Sequence, residues 1–454
     1  MIINVLYDAS AATAPTGFQT AISAVVSYFQ GHFTDDITFD LHVGFGDVHG
    51  NPMNVGNLGQ SEFYAHEYSY QDFLDALEDH RTTADDFTAF SSLPTTSPFA
   101  STDDFWVMDP LAAALGLLEI ESGSPIEGWV GFSNTFAFDY DRSDGITAGQ
   151  YDFMGTVAHE ITEIMGRVLG VGEDVLAGDG VADYLPLDLF HYASGALSLT
   201  RGGYFSLDGT TALADFNALS TGDAGDWGGT TKNDAYLAFS SPGVYNDITP
   251  WDLQVMDVLG FQGYPDDYGE DVNFAWHITP GQPQHGAIEL SQDKDWFRVY
   301  LEAGKNYSIQ MKGADSGGGT LADPFLAVFN SSSSMLAQDN DSGRGLDAGL
   351  AFAPSTSGYY YLSASAPFGA GTGDYTLSVS IAPKLFNEDL PIDTVSDRAV
   401  SHLPSFLGGN HILSKGRFAT DDGITFNGSS SHGQHDFQEI PLIGVNDGPH
   451  EWLY

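Results

Sequence analysis

The feature that most constrains the fold of this chain is a change in hydrophobic periodicity near residue 265. Before this point, several segments place apolar side chains at helical spacing and others alternate as strands do. After it, the helical spacing disappears, and short strand-like runs alternate with Gly-, Asp- and Ser-rich turns up to residue 382. The sequence therefore predicts an α+β domain over 1–264, an all-β sandwich over 265–382 and a turn-rich tail over 383–454.

Individual elements of the first domain are also predicted. Thr249 as an N-cap, Pro250 at the first helical position and Gly260 near the stop mark a helix at 248–261. Helical spacing also occurs at 16–30, 70–79, 109–119 and 150–169, and strand patterns occur at 2–8, 37–46 and 128–141. The tail is weakly periodic, and no fold is predicted for it.

The charge of the chain excludes several classes of function. It carries 62 Asp and Glu residues against 14 Lys and Arg, a formal net charge of −48. Such a surface repels phosphate backbones and anionic lipids, so nucleic-acid and membrane-surface binding are not expected, whereas divalent cations are attracted. Without cysteine, disulfides and thiolate metal sites are excluded. No run of 18 apolar residues occurs, so membrane insertion is not expected either.

The first residues, MIINVLYDAS, have no basic stretch and no long apolar stretch, so they are not expected to form a signal peptide. Three alternatives remain open at this point. A leader is missing, export uses another signal, or the protein stays inside the cell.

The string TVAHEITEIMGR at 156–167 carries the strongest chemical signal. On a helix, His159 and Glu163 lie four residues apart on one face, so an imidazole and a carboxylate can bind the same metal ion. Glu160 lies beside them, where it can act as a general base on water. The flanking positions are apolar, which predicts a buried helix and makes unpaired charges costly. The alternative is a solvated acidic face with an incidental histidine.

The spacing HExxExxG, formed by His159, Glu160, Glu163 and Gly166, resembles the metzincin pattern HExxHxxGxxH of zinc peptidases. The strand–helix–strand opening and an edge-type strand before the motif are similar to the zincin fold. The closing ITPWDLQVMDVLGF resembles the last helix of matrixin- and serralysin-like domains. More closely, HEITEIMGR with LDLFHY, GYFSLDG and GDWG resembles a family of bacterial secreted metalloproteases with an HExxE motif. This resemblance covers roughly residues 1–262 and implies a zinc peptidase.

The chain departs from the metzincin pattern at its ligands. Glu163 replaces the second histidine, Leu169 stands at the third ligand position, and no Met-turn is evident before residue 250. The third ligand must come from elsewhere or be missing, and Asp188 and His191 in PLDLFHY are equally weighted candidates. Other acids considered for this position are Glu173, Asp174, Asp179 and Asp183. A carboxylate in place of an imidazole weakens activation of water, so low or specialised activity is an alternative.

Arg167 is one of only 14 basic residues and follows the glycine of the motif. It is expected either to orient Glu163 or Asp188 by pairing with it, or to cap the helix C-terminus. Three more acids lie in Gly-rich turns, where turn geometry explains them and a calcium site is the alternative: Asp208, Asp223 and Asp226.

The second domain has a resemblance of its own. DDYGEDVNFA, HGAIELSQDKDWFRVYLEAGKNYSIQMKG, LAQDNDSG and TGDYTLSVS are similar to the bacterial pre-peptidase C-terminal domain, a secreted β-sandwich found beside extracellular proteases. The similarity covers about 266–380 and implies an exported protein. Four acids at strand ends are candidate calcium ligands, with solvated turn acids as the alternative: Asp293, Asp295, Asp339 and Asp341. The nonapeptide GGxGxD of calcium rolls does not occur.

Together these patterns favour a secreted zinc-dependent endopeptidase acting on protein or peptide substrates. A second hypothesis is a non-catalytic extracellular binding or attachment protein built on a degenerate zincin domain, which zinc content would distinguish. A third is a carboxylate-rich site that prefers Mn²⁺, Ca²⁺ or Fe²⁺ and performs a non-proteolytic hydrolysis. Cleavage preference, natural substrate and oligomeric state are not predicted.

Overall fold

The computed structural model describes residues 1–99, 104–118, 125–173, 182–228, 233–263 and 266–382. All of them fall within one compact unit. Its first part mixes helices with sheets of two to four strands, and its second part consists of one five-stranded and one four-stranded sheet. The tail predicted over 383–454 lies outside the described residues.

The described residues contain six α-helices. They are α1 Phe18–His32, α2 Tyr70–His80, α3 Ala84–Ser92, α4 Asp109–Ala114, α5 Phe153–Ile164 and α6 Pro250–Leu259. Five of them lie where helical spacing predicts helices, and α3 was not predicted although Thr83 and Asp86 form a capping box at its start. None of the described helices is both long enough and apolar enough to span a bilayer.

The strands before the sandwich are mostly short. They are β1 Ile2–Tyr7, β2 Thr38–Phe45, β3 Asp47–Val48, β4 Asn51–Pro52, β5 Gly59–Phe63, β6 Ala65–Ser69, β7 Asp104–Met108, β8 Ile126–Phe132, β9 Phe138–Asp139, β10 Tyr151–Asp152, β11 His191–Ala193, β12 Ala196–Leu197, β13 Tyr204–Phe205 and β14 Ala214–Asp215. The strand predicted over 128–141 is confirmed for 128–132, which belong to β8, but its continuation is wrong, because the chain leaves the sheet after Phe132 and resumes only as the short β9.

The sheet that supports α5 has the strand order β1-β2-β8-β5. Its first three strands are parallel, and β5 is an antiparallel strand at one edge. Alternation along β2 buries Phe39, Leu41 and Val43. α5 lies close to β8 because Gly128 has no side chain: a Cβ there would lie 2.5 Å from Ile164 Cγ2. α5 also contacts β5, so the edge strand lies beside the HExxE helix.

The second part is a β-sandwich, in agreement with the architecture predicted over 265–382. Its strands are β15 Trp276–Ile278, β16 Gln284–Ile288, β17 Lys294–Leu301, β18 Tyr307–Lys312, β19 Phe325–Phe329, β20 Met335–Asp339, β21 Ala348–Phe352, β22 Gly358–Ser365 and β23 Gly373–Ile381. They form a five-stranded sheet, β15-β17-β22-β19-β20, and a four-stranded sheet, β16-β23-β18-β21. Alternate side chains such as Ile309, Leu362 and Leu377 are fully buried in one apolar core.

Candidate metal centre

The HExxE motif lies on α5, whose two ends are fixed by local chemistry. At its start, the Asp152 carboxylate accepts a hydrogen bond of 3.3 Å from the Gly155 amide, as an N-cap does. Just after its end, Gly166 has a φ of +111°, and a Cβ there would also lie 2.9 Å from Leu111 Cδ2. The glycine of HExxExxG is therefore required by both conformation and space.

Between these ends, α5 gathers three side chains that can bind a cation. His159, Glu160 and Glu163 each offer one ligand atom, and these atoms all lie within 4.8 Å of one another. Glu160 and Glu163 are each 6 % exposed, so both carboxylates are largely removed from water. Burial of this kind is costly unless a cation or hydrogen bonds compensate it.

His159 is oriented for metal binding through Nε2. Its Nδ1 lies 3.0 Å from the carbonyl oxygen of Ala235, which can only accept, so Nδ1 carries the proton. Nε2 faces two carboxylates, with 3.3 Å to Glu163 Oε1 and 3.3 Å to Asp226 Oδ1. A bound cation would take the place of the proton that this nitrogen otherwise carries. A backbone carbonyl that fixes the tautomer in this way is a usual outer partner of a metal-binding histidine.

Both carboxylates are held by further side chains. The Ser61 hydroxyl of β5 donates to Glu163 Oε2 at 2.7 Å. Arg167 is fully buried, with Nη1 at 3.0 Å from Asp226 Oδ1 and Nη2 at 3.6 Å from Glu163 Oε1. The sequence offered Glu163 or Asp188 as the partner of Arg167. In the structure, Arg167 pairs with Glu163 and also with Asp226. Arg167 therefore orients two carboxylates and balances part of their charge.

Asp226 is the residue of this cluster that the sequence patterns do not place beside His159. From the sequence, turn geometry explains this acid and a calcium site is the alternative, although GDWG is among the strings that resemble the HExxE family. The backbone here is anchored, because the Asp226 carbonyl accepts from the Asn217 amide at 2.8 Å. The neighbouring Trp227 indole donates to Asp252 Oδ1 on α6 at 2.7 Å. These bonds position the Asp226 carboxylate opposite His159.

The structure does not bring Asp188 or His191 to this cluster, which corrects the expectation that one of them supplies the third ligand. The Asp188 carboxylate accepts from the amides of Gly170, Val171 and Leu185, at 2.9 to 3.1 Å, and so stabilises the backbone. Burial raises its pKa to about 6. The His191 Nε2 is bonded to the Gly202 carbonyl, and burial lowers the pKa of this imidazole. Both side chains are thus bonded to backbone groups of their own surroundings.

The other acids that were candidates for the third ligand lie away from the cluster or fall outside the described residues. Glu173 is mostly exposed and lies 4.0 Å from Arg201. Asp183 is buried but does not line the cleft beside His159. Asp174 and Asp179 lie outside the described residues. Among the turn acids, Asp208 accepts from the amides of Thr210 and Thr211.

The cluster opens into a cleft of about 590 Å³ that includes open solvent. One wall is formed by β5 and the residues before it, and the other by the chain around Asp223 and Leu237. Glu160 projects toward β5, where the absence of a side chain at Gly59 leaves room for its carboxylate. A molecule in this cleft would therefore meet Glu160 together with His159, Glu163 and Asp226.

A side chain at Gly59 should disable Glu160 without removing any ligand. In Gly59→Ala, the new Cβ would lie 2.2 Å from Glu160 Oε1, so the carboxylate must move. Where Glu160 serves as a general base, hydrolysis should fall by up to about 100-fold, since displacements near 1 Å have effects of this size. The content of a metal held by the other side chains of the cluster should stay at the wild-type level. Gly358→Ala is the matched control, because its Cβ meets no atom within 4 Å.

The pKa values describe a cluster in which carboxylates outnumber cations. Burial raises the pKa of Glu160 well above its ordinary range, and the Glu163 carboxylate adds to the increase. Burial lowers the pKa of His159, but Asp226 and Glu163 outweigh burial and bring it to about 10. Burial also raises the pKa of Asp226 to about 7. A divalent cation would supply the missing positive charge.

The donor set fits zinc. One imidazole nitrogen from His159 and carboxylate oxygens from Glu163 and Asp226 are of the ligand types found in zinc sites, and three protein ligands would leave a position open toward the cleft. The room that Gly59 leaves for Glu160 is a further match, since it keeps a base beside that open position.

The described residues contain a second group of acids that can hold a cation, at the edge of the sandwich. It consists of Asp266, Glu289, Asp293 and Asp295, whose ligand atoms lie within 4.8 Å of one another. Four buried carboxylate oxygens here have no hydrogen-bond partner among the described residues: Asp267 Oδ1, Glu289 Oε2, Asp293 Oδ1 and Asp295 Oδ1. Of the predicted calcium ligands, the structure thus brings Asp293 and Asp295 together with two acids that were not predicted, Asp266 and Glu289.

Asp339 and Asp341 do not belong to that group. The Asp339 carboxylate accepts from the amides of Ser342, at 3.0 Å, and Gly349, at 2.8 Å. It therefore shapes a turn, which was the alternative to calcium binding at this position.

No family model matches the chain, and no curated protein does. The solved structures that are similar to about a quarter of it include the following three. The pre-peptidase C-terminal domain of a collagenase from Bacillus anthracis is 21 % identical over 26 % of this chain and 99 % of that chain, with a TM-score of 0.19. PliG of Aeromonas hydrophila, a periplasmic inhibitor of g-type lysozyme, is 13 % identical over 23 % and 96 %, with 0.17. CorA of Methylomicrobium album BG8, a surface-associated copper-binding protein, is 12 % identical over 24 % and 98 %, with 0.18. These scores are too low to place the chain in any of the three families.

Proposed function

We propose that this protein is a zinc-dependent endopeptidase whose metal ligands are His159, Glu163 and Asp226. The observation that carries the proposal is the position of His159 Nε2, 3.3 Å from each of the two carboxylates, with Nδ1 committed to a backbone carbonyl. The antiparallel edge strand β5 beside the HExxE helix supports the zincin resemblance. An extracellular location belongs to the same proposal and rests on the resemblance of 266–380 to a secreted domain.

Each side chain of the centre has a role in peptide hydrolysis. Zinc, when bound, would supply Lewis acidity that polarises a carbonyl and lowers the pKa of water. Glu160 accepts a proton from the attacking water and donates it to the leaving amine nitrogen. Arg167 and Ser61 hold the two ligand carboxylates in place, and the Ala235 carbonyl fixes the His159 ring.

Metal removal and return provide the test of this function. Casein hydrolysis by the full chain should be lost after treatment with 1,10-phenanthroline and restored by zinc, because His159 and the two acids form a site that exchanges metal with solvent through the cleft. A protein that contains no zinc and does not cleave casein after zinc is added would contradict the proposal. It would favour the non-catalytic binding protein instead.

We also propose that the second acidic group binds calcium as a structural ion. Asp295 is fully buried, and its Oδ1 has no hydrogen-bond partner among the described residues, which is costly for a carboxylate. Burial raises the pKa of Glu289 to about 9 and that of Asp267 to about 7. Calcium prefers several carboxylate oxygens, and its charge would stabilise their ionised form.

These shifts predict how stability depends on pH. The pKa values of Glu289 and Asp267 are higher in the folded chain than in the unfolded chain. Without calcium, the folded chain therefore holds protons that the unfolded chain releases, and this stability is lost as the pH rises through about 7 to 9. With calcium the trend should reverse, because ionised carboxylates bind the ion more tightly.

The measurement is the thermal unfolding midpoint of the full chain across this pH range, in excess EGTA or in excess calcium. At the alkaline end, calcium should raise the midpoint by about 2–5 °C. Asp295→Asn should abolish this response, whereas Asp341→Asn, a change at an exposed turn, should keep it. Equal midpoints with and without calcium at every pH would refute the calcium site.

A further inference from the structure

A buried ion cluster joins the sandwich to the first part of the chain at Asp247, just before α6. Arg142, from the first part, places Nη2 at 2.9 Å from Asp247 Oδ1. Arg298, on β17 of the sandwich, places Nη1 at 3.0 Å from the same oxygen and stacks on the Tyr245 ring at 3.7 Å. The two arginines are 1 % and 2 % exposed. Basic residues are rare in this chain, and two of them are buried here.

The ion cluster extends to the start of the HExxE helix. Arg142 Nη2 also lies 2.8 Å from Asp152 Oδ2, and the backbone amide of Asn246 donates to that same oxygen at 2.8 Å. Asp152 is the N-cap residue of α5, and its other carboxylate oxygen accepts a hydrogen bond from the Gly155 backbone amide. The charge of Arg298 therefore acts, through Asp247 and Arg142, on the residue that caps α5.

A second path leads from the same segment to the histidine ligand. The Asn246 side-chain amide donates to the Asp234 carbonyl at 2.8 Å. The next residue is Ala235, whose carbonyl accepts the hydrogen bond from His159 Nδ1. α5 also touches this segment directly, because a Cβ on Gly155 would lie 2.6 Å from the Asn246 carbonyl oxygen. A shift of residues 246 and 247 would thus move both the cap of α5 and the group that orients His159.

We propose that Arg298 of the sandwich is a positioning residue for the metal centre. The inference rests on the proposed function, in that the centre is taken to bind zinc. Without the Arg298 charge, two buried carboxylates, Asp152 and Asp247, share the single cation Arg142, and the uncompensated charge favours opening of the segment toward water. The sandwich is accordingly a working part of the peptidase and not a separable module.

The test compares three variants of the full chain. Arg298→Met removes the charge at similar volume, Arg298→Lys keeps the charge but loses the forked contact, and Arg344→Met is the control at an exposed position of the sandwich. Zinc affinity is measured by competition with a chromophoric chelator. The order of α5 is measured by amide hydrogen exchange of peptides covering 152–164, in the absence of zinc.

In Arg298→Met, we expect zinc affinity to fall about 10-fold, as for other changes outside the ligand shell. Exchange at the first turn of α5 should accelerate by a similar factor. Arg298→Lys should give intermediate values, and Arg344→Met should match wild type. If Arg298→Met does not fold, the zinc affinity and the exchange rates of Arg298→Lys are compared with those of wild type and Arg344→Met instead.

A folded Arg298 variant with wild-type zinc affinity and wild-type exchange at α5 would overturn the inference. Failure of the proposed function gives a different result. If wild type binds no zinc but Arg298→Met still accelerates exchange at α5, the link from the sandwich to α5 stands and the zinc assignment falls.

Discussion

Glu160→Gln should reduce peptide hydrolysis by about 10²–10⁴-fold while zinc stays bound. The substitution keeps the shape of the side chain but removes the group that accepts a proton from water, and general bases contribute rate factors of this size. Because Glu160 is not among the proposed ligands, metal affinity should remain within a few-fold of wild type. The measurements are kcat on a casein-derived peptide and zinc content after dialysis.

The control for this variant is Glu302→Gln, the same chemical change at an exposed side chain of the sandwich. It should leave both rate and zinc content unchanged. Loss of zinc from Glu160→Gln would mean that Glu160 binds the metal, and full activity in Glu160→Gln would mean that another group is the base.

Asp226→Asn should weaken zinc binding by more than about 100-fold, beyond the usual effect of residues that only support ligands. The amide is a poorer zinc ligand than a carboxylate, and Arg167 would lose one of its two partners. Hydrolysis should fall in parallel at limiting zinc. Competition with a chromophoric chelator measures the affinity, and circular dichroism verifies that the variant is folded.

Two controls separate this prediction from a general effect of losing an acid. Asp223→Asn changes a carboxyl residue that lines the same cleft and should leave zinc affinity within a few-fold of wild type. Asp188→Asn should lower stability by about 1–3 kcal/mol, because three amides lose a carboxylate acceptor, but should keep the metal. If Asp188→Asn lost zinc while remaining folded, and Asp226→Asn kept it, Asp188 would be the third ligand, which is one of the two alternatives predicted from the sequence.

Local patterns in the sequence predicted the elements whose burial follows a regular period. The helices α1, α2 and α6 and the sandwich strands β18 and β23 fall in this class. The edge strand β5 does not, because its sequence GQSEF has no apolar alternation. Its Ser61 and Glu62 are nevertheless buried, owing to contacts with residues distant in the chain. No local pattern carries that information.

The same distinction applies to the candidate site. His159, Glu160 and Glu163 were predicted because a helix fixes their relative positions within one turn. Asp226 is far from them in the sequence and reaches them only through the folding of a long Gly-rich segment. Because the chain has 62 acidic residues, the presence of one more acid did not mark Asp226 as part of the site. His191 was a candidate for its residue type and Asp188 for its place in a string that resembles the family, yet both side chains bond to buried backbone groups.

The most direct test of the zinc centre is an anomalous difference map at the zinc absorption edge, from crystals of the full chain grown with zinc. The proposed ligand set predicts one strong peak about 2.0–2.2 Å from His159 Nε2 and from carboxylate oxygens of Glu163 and Asp226. Glu160 should lie near the peak without binding it directly. Absence of a peak at α5, or a peak held by His191 instead, would contradict the assignment.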